Sequence, residues 1–249
     1  MIPIGRILEI WRYPVSSLGG EMCDAAIVES NGLHGDRQYA LFDPSSGSVA
    51  SPEKEPRWRP ALFLNSALDA DGPRIGFPDG SWYRLTDLDL LPMLSSHFGF
   101  DVVVGRYRDG DERTALLPRV NNRYDVASIH LITTASLNEL ERKATGTAID
   151  RRRFRPNVLV EVEHEDGFAE TAWLGDTLHI DRAVGKVTEP TKRCGMTFIP
   201  QPGLDEQAEI LRTIVRHNKR LLGIYCEVTK PGRIELGASV VREESQINF

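Results

Sequence analysis

Ile129-His130-Leu131-Ile132-Thr133-Thr134-Ala135-Ser136-Leu137 changes its hydrophobic period partway along. Residues 129–132 are apolar enough for a buried strand, and they run directly into Thr133-Thr134-Ala135-Ser136. Ser136 and Glu139 have capping-box spacing, and Leu137, Leu140 and Ala144 follow at helical intervals before Gly146. A strand that passes straight into a short helix is the local pattern. Towards the C-terminus, residues 158–162, 178–180 and 184–187 are strand-like. Leu204, Ala208, Leu211 and Val215 then line one face of a second predicted helix that ends before Gly223. Residues 224–228 and 234–241 close the chain as strands.

Towards the N-terminus the runs are shorter still. Residues 7–11 and 25–28 read as strands separated by Pro14 and Gly19-Gly20. Residues 39–42, 62–64, 82–85 and 102–104 continue the β pattern, and Thr86 caps a short predicted helix reaching Leu94, irregular because of Pro92. The expected fold is mainly β, in an α+β or barrel-like architecture with two or three helices. A mostly β first unit covers 1–118 and a second covers 119–249. No internal repeat or low-complexity tract interrupts either unit.

The 249 residues suffice for a sizeable core, and 41% hydrophobic with 27% charged side chains is globular composition, which excludes a disordered or fibrous chain. The net charge of −6 argues against nucleic-acid binding driven by counterion release. No apolar stretch approaches the roughly 18 residues of a membrane span, and the N-terminus lacks a signal core, so a cytoplasmic protein is expected. The three cysteines, Cys23, Cys194 and Cys226, cannot all pair, and none forms C-x-x-C. A dinucleotide fingerprint, a complete Walker A loop and a nucleophile elbow are all missing. The six histidines are scattered and read as surface or satisfied core residues.

Two features stand out. Arg151-Arg152-Arg153-Phe154-Arg155-Pro156-Asn157 concentrates cations just before a strand, which fixes the direction of Arg155 and Asn157. Fixed guanidiniums suit bidentate capture of phosphate or carboxylate, whereas a plain solvated charge run is the alternative. In Thr191-Lys192-Arg193-Cys194-Gly195, two cations precede a cysteine whose next residue has no side chain. Nearby positive charge favours the thiolate, a nucleophile and soft metal ligand; an inert buried cysteine is the competing reading. Cys23 and Cys226 sit inside strand-like runs and read as structural.

Taken in order, these pieces resemble a known family. Tyr13-Pro-Val-Ser-Ser17-Leu-Gly-Gly20 and Gly32-Leu-His-Gly-Asp36-Arg37-Gln-Tyr-Ala-Leu-Phe-Asp43 resemble motifs of the N-terminal β-barrel domain that accompanies MOSC domains. Leu131–Leu137, Arg153–Asn157, Thr191–Cys194, Leu222-Gly-Ile-Tyr225 and Gly232–Gly237 resemble successive stretches of the MOSC domain itself. The resemblance runs nearly end to end. It implies an N-terminal β-barrel-like domain, a MOSC β-barrel domain with a few flanking helices, and a molybdenum cofactor.

By the same resemblance Cys194 is the metal ligand and catalytic position. Arg155, Asn157 and Arg193 match positions that hold the pterin or its phosphate, and Ser17, Arg37, Thr133, Thr134 and Tyr225 match others around the pocket. Thr133 and Thr134 open the predicted helix, whose unpaired N–H groups favour a phosphate. The chain departs from the family at Ser16, where a lysine is usual, and at Tyr39, where tryptophan is usual. Characterised relatives reduce N-hydroxylated compounds, so the resemblance implies conversion of N–OH to N–H. Without the C-x4-C-x2-C spacing of a plant-type ferredoxin domain, the electron donor is expected to be an external flavin or iron–sulfur protein. A cofactor or sulfur carrier without turnover is the alternative. No nucleic-acid or membrane partner is expected, and the chain reads as a monomer.

Overall fold

The computed structural model describes residues 1–107, 112–121, 128–144, 146–163 and 166–245. Strand β1 (Ile2–Arg12) buries Ile4, Ile7 and Ile10. Spacing by three is wrong for a regular strand, whose faces alternate every residue. Here the register shifts between Pro3 and Gly5 and again between Ile7 and Glu9, and each irregularity returns the next isoleucine to the inner face. At Gly5 a Cβ would lie 1.9 Å from the carbonyl oxygen of Glu161, so the backbones meet there only because position 5 has no side chain.

Among the described residues, eight strands lie before residue 118 besides β1: β2 (Glu21–Cys23), β3 (Ala25–Glu29), β4 (Gly32–Leu33), β5 (Tyr39–Phe42), β6 (Asn65–Asp69), β7 (Gly72–Gly76), β8 (Trp82–Arg84) and β9 (Val103–Arg106). Seven more follow among the described residues: β10 (Ile129–Thr133), β11 (Val158–Val162), β12 (Thr177–Ile180), β13 (Ala183–Lys192), β14 (Leu221–Lys230), β15 (Gly232–Glu235) and β16 (Ser239–Glu243). The helices are α1 (Leu90–Phe98), α2 (Thr134–Lys143) and α3 (Ala208–Asn218). The protein is therefore mainly β, as expected.

A closed barrel of seven strands dominates, in the order β11-β10-β14-β13-β12-β16-β1, with β1 returning to pair with β11. β10 and β11 are parallel, joined through α2, and the other barrel pairings are antiparallel. Ile4, Ile7 and Ile10 pack inside it against Ile129, Leu131, Val158, Val160, Leu178 and Trp173. Ile132, Leu159 and Leu222 face outward and are covered by Leu140 of α2 and Ile210 and Ile214 of α3. Every residue of β10 is thus buried, which explains its unbroken apolar run. A separate core holds the first unit together, with Trp58 packed edge-on against Phe98 and Phe100. The two expected units share strands, because β1 is a barrel strand and β15 pairs with β3.

Several local expectations change. Residues 62 and 63 end a 3-10 helix, Pro56–Phe63, with Leu64 just after it, instead of forming a strand. Asp87 accepts the Arg84 N–H at 2.7 Å and holds a turn there, so α1 starts at Leu90 and places Pro92 in its first turn, where no helical donor is needed. Residues 234–241 split at Gly237 (φ 76°) into β15 and β16. α3 buries Ile210, Thr213 and Ile214, leaves Val215 51% exposed, and begins after Leu204, which sits in a turn with Gln201. Thr133, not Ser136, caps α2, its hydroxyl accepting the Ser136 N–H at 3.2 Å.

A carboxylate is buried at that helix start. Glu170, with no exposed surface, accepts from the hydroxyls of Thr133 (2.7 Å) and Ser136 (2.5 Å) and from the Gly223 N–H (3.0 Å). Burial pushes its pKa above the ordinary 4.5, against the opposing pull of these donors. Below the ordinary carboxyl range Glu170 is protonated in both folded and unfolded chains. As pH rises through that range the unfolded chain ionises first, so this group's contribution to stability falls. Glu170→Gln should flatten the decline, read calorimetrically as the difference in Tm between variant and wild type across the carboxylate range. Glu170→Ala should cost about 3 kcal/mol by stranding its buried donors.

Candidate functional site

Where the barrel meets the first unit, a cavity of about 470 Å³ opens. Ser16 and Ser17 follow β1, Arg37 precedes β5, Arg153, Arg155 and Asn157 lead into β11, and the end of β13 delivers Lys192, Arg193 and Cys194. Tyr225 of β14 and His130 of β10 complete the inner wall. Among the described residues, five cationic side chains line the space (Arg37, Arg153, Arg155, Lys192 and Arg193) against two carboxylates, Glu53 and Glu189. In a chain of net charge −6 this is a local inversion of sign.

The backbone is strained around the cavity. Ser17 (φ 71°), Arg37 (φ 46°) and Arg155 (φ 54°) all adopt left-handed conformations unfavourable to residues bearing a side chain. Each is held by specific bonds. The Arg37 N–H donates to the Tyr13 carbonyl at 2.8 Å, and Ser17 Oγ donates to the Ala50 carbonyl at 3.2 Å. The Arg155 carbonyl accepts from Arg37 Nη2 at 2.9 Å and from His130 Nδ1 at 3.2 Å. These bonds offset a conformational cost on the order of 1–3 kcal/mol per residue.

The cations differ in what their donors do. Arg193 spends Nε and Nη2 on the Leu222 carbonyl (2.8 and 2.7 Å) and Nη1 on the Phe154 carbonyl (3.1 Å), and its Nη2 also meets His130 Nε2. It braces the wall. Arg155 reaches the Leu18 carbonyl, and Arg37 is paired with Asp36. Burial lowers the pKa of Arg155 and Arg193 to about 10, so both charged groups are poorly compensated within the protein. His130 accepts at Nε2 from a cation and donates from Nδ1, and burial followed by Arg193's charge holds its pKa well below 6.5. It stays a neutral imidazole.

Asn157, 1% exposed, links three strands. Its Oδ1 accepts from the His130 N–H (3.1 Å) and Arg37 Nη1 (3.2 Å), and its Nδ2 donates to the Trp11 carbonyl at 3.2 Å. Cys194 lies just past β13, where the Arg193 N–H donates to the Arg220 carbonyl at 2.9 Å and Arg220 Nε donates back to the Arg193 carbonyl. Its own carbonyl accepts from the Thr197 N–H and hydroxyl, at 3.2 and 2.9 Å. Cys226 faces the barrel interior, where burial pushes its thiol up to about 12, and Cys23 sits half-buried on β2. Among the cysteines, Cys194 is the one lining the cavity. No cluster of three or more His, Cys, Asp or Glu side chains suited to a metal occurs among the described residues.

Seven of the residues expected at the site therefore converge: Ser17, Arg37, Arg155, Asn157, Arg193, Cys194 and Tyr225. Thr133 and Thr134 do not line the cavity. Thr133 bonds Glu170, and Thr134 Oγ1 accepts the Val162 N–H at 3.1 Å; the anion at the start of α2 is the chain's own Glu170. Arg153 and Lys192, members of the two cationic stretches, also line the wall, and His130 joins it without having been singled out. For His130 the available signal was its place in an otherwise apolar run, the one polar side chain in residues 129–132.

Fold and cavity define a class first: a closed β-barrel joined to a second β unit, with one thiol in an arginine-lined hollow between them. Residues 118–241 match the MOSC domain and residues 4–71 match the MOSC N-terminal beta barrel domain; the chain belongs to the MOSC-domain family. Mitochondrial amidoxime reducing component 2 from Bos taurus is 25% identical over 290 aligned positions, covering 95% of this chain and 83% of that protein. The crystal structure of the YuaD protein from Bacillus subtilis shares the fold at a TM-score of 0.52 and 14% identity, covering 97% of each chain.

Asn157→Ala should strand the buried His130 N–H and the Trp11 carbonyl. The expected loss is on the order of 3 kcal/mol in urea unfolding, accompanied by faster exchange of the His130 amide.

Proposed function

We propose that this protein is a molybdenum-cofactor-dependent oxidoreductase that reduces N-hydroxylated small molecules, N–OH to N–H, with electrons from an external flavin or iron–sulfur protein. One observation carries the reading: among the described residues, the cavity combines a single cysteine with five cationic side chains in an otherwise acidic chain. The bovine relative's name, an amidoxime reducing component, supports the reaction class. The reading includes a cytoplasmic, monomeric protein; no helix among the described residues is long and apolar enough to cross a membrane.

The lining chemistry fits such a cofactor, a molybdenum ion on the dithiolene of a phosphate-bearing pterin. A soft thiolate suits the metal, and the cations suit the phosphate. Thr191 Oγ1, on a residue 2% exposed that lines the cavity, has no hydrogen-bond partner among the described residues. When bound, the cofactor supplies the two-electron redox chemistry. Cys194 would be its protein ligand, and Arg37 and Arg155 would neutralise the phosphate. Arg193 and Asn157 act one step back, fixing the wall on which Arg37, Arg155 and Cys194 stand. Ser16 lines the cavity at the position where the family resemblance would place lysine, while Arg153 and Lys192 contribute positive charge to the same space. His130, held neutral between a donor and an acceptor, orients Arg193 and does not compete for protons. The overall reaction consumes two electrons and two protons and releases water.

Protein made with molybdenum available should purify with near-stoichiometric metal and an oxidised pterin fluorescence signature, and should reduce benzamidoxime with a reductase partner. Cys194→Ala should lower the metal content and abolish turnover. Unchanged metal content in that variant overturns the assignment, and bound cofactor without N-hydroxy reduction would make the protein a carrier. Turnover with a dithionite-type donor but with no protein reductase would refute the external protein donor.

A further inference from the structure

Tyr13 does not line the cavity, yet two of the cavity's arginines rest on it. The guanidinium carbon of Arg155 lies 4.4 Å from the Tyr13 ring centroid, and that of Arg37 lies 4.8 Å away. The residue is 3% exposed. Its main chain is pinned, the N–H donating to Asp36 Oδ1 at 2.7 Å and the carbonyl accepting from the Arg37 N–H at 2.8 Å. The ring cannot recede on the side of Gly20, where even one added carbon would lie 2.4 Å from its Cδ1. A fixed aromatic surface therefore underlies two guanidiniums whose own backbones are left-handed (φ 46° and 54°).

Like charges held together repel, and here the compensation is uneven. Asp36 pairs with Arg37, whereas the hydrogen bond of the Arg155 side chain goes to a neutral carbonyl, that of Leu18. Burial and the neighbouring Arg37 both disfavour the charge on Arg155. The negative face of an aromatic ring attracts cations, more so when they are desolvated. We propose that Tyr13 is a positioning residue for anion binding: its ring holds the Arg37 and Arg155 guanidiniums together, directed at a phosphate-class anion. The proposal rests on the cofactor reading only for the identity of that anion.

The test uses the full chain prepared without cofactor and inorganic phosphate as the probe, with titration calorimetry at low salt. Tyr13→Phe keeps the ring and should bind phosphate within about twofold of wild type, whereas Tyr13→Leu should bind about tenfold more weakly. Should Tyr13→Leu fail to fold, replacing residue 13 by phenylalanines of increasing fluorination preserves shape and drains the ring face. Phosphate affinity should then fall stepwise while Tm holds. Equal phosphate affinity in Tyr13→Leu, equal losses in the Phe and Leu variants, a flat fluorination series, or no phosphate binding by wild type each overturns the proposal. Phosphate binding that follows the ring in a protein that never acquires molybdenum would sustain it while removing the cofactor reading.

Discussion

Asn157 is where the barrel and the cavity become one structure. Its backbone N–H donates to the His130 carbonyl at 2.7 Å, and its carbonyl accepts from the Trp11 N–H at 2.8 Å. Its side chain then repeats both connections in the opposite sense, and adds Arg37. Strand β1 is thereby joined to β10 and β11 at the point where the barrel closes. A buried amide suits this place because it offers donor and acceptor at once, and each strand end it meets would otherwise leave a polar group unpaired. Without it, the turn after β1 that carries Ser16 and Ser17 would lose its fixed relation to Arg155.

From that junction follows the electrostatic character of the hollow. Guanidiniums approach one another only because carbonyls, one aspartate and one aromatic ring surround them. Arg193 has most of its donors occupied by the protein, while Arg37 and Arg155 rest on Tyr13 and retain capacity for an incoming anion. The low pKa values that burial imposes on Arg155 and Arg193 express the same imbalance in energetic form. An anion entering this space would relieve repulsion that folding has already imposed, a form of preorganisation in which the cost is met before binding.

The helix start at Thr133 shows the opposite solution. It too could hold an anion, but Glu170 fills the role internally, and Gly223 on β14 adds an N–H to the same carboxylate. Thus one potential anion site is closed by the chain and the other is left to the cavity. Leu222 connects the two, since its carbonyl takes two bonds from Arg193 while its neighbour Gly223 bonds Glu170.

Much of this was legible in the residues. The short β runs, the strand–helix passage at 129–137, the cationic Arg153–Asn157 stretch and Arg193-Cys194 are local patterns, and local patterns report backbone periodicity and side-chain chemistry directly. Seven of the nine expected site residues meet in one cavity because their motifs flank strand ends that the barrel gathers. What local patterns could not carry was anything dependent on a distant partner. The bulges that put Ile4, Ile7 and Ile10 on one face are defined by β11 and β16, and the cap at Thr133 depends on Glu170, 37 residues away. His130 became a cavity residue, and Tyr13 a support for two arginines, only when barrel closure brought residues 13, 37, 130 and 155 together. Residue chemistry determined which groups could bind an anion and a soft metal; tertiary packing decided which of them face the same space, because charge and hydrogen-bond partners are shared through space and not along the chain.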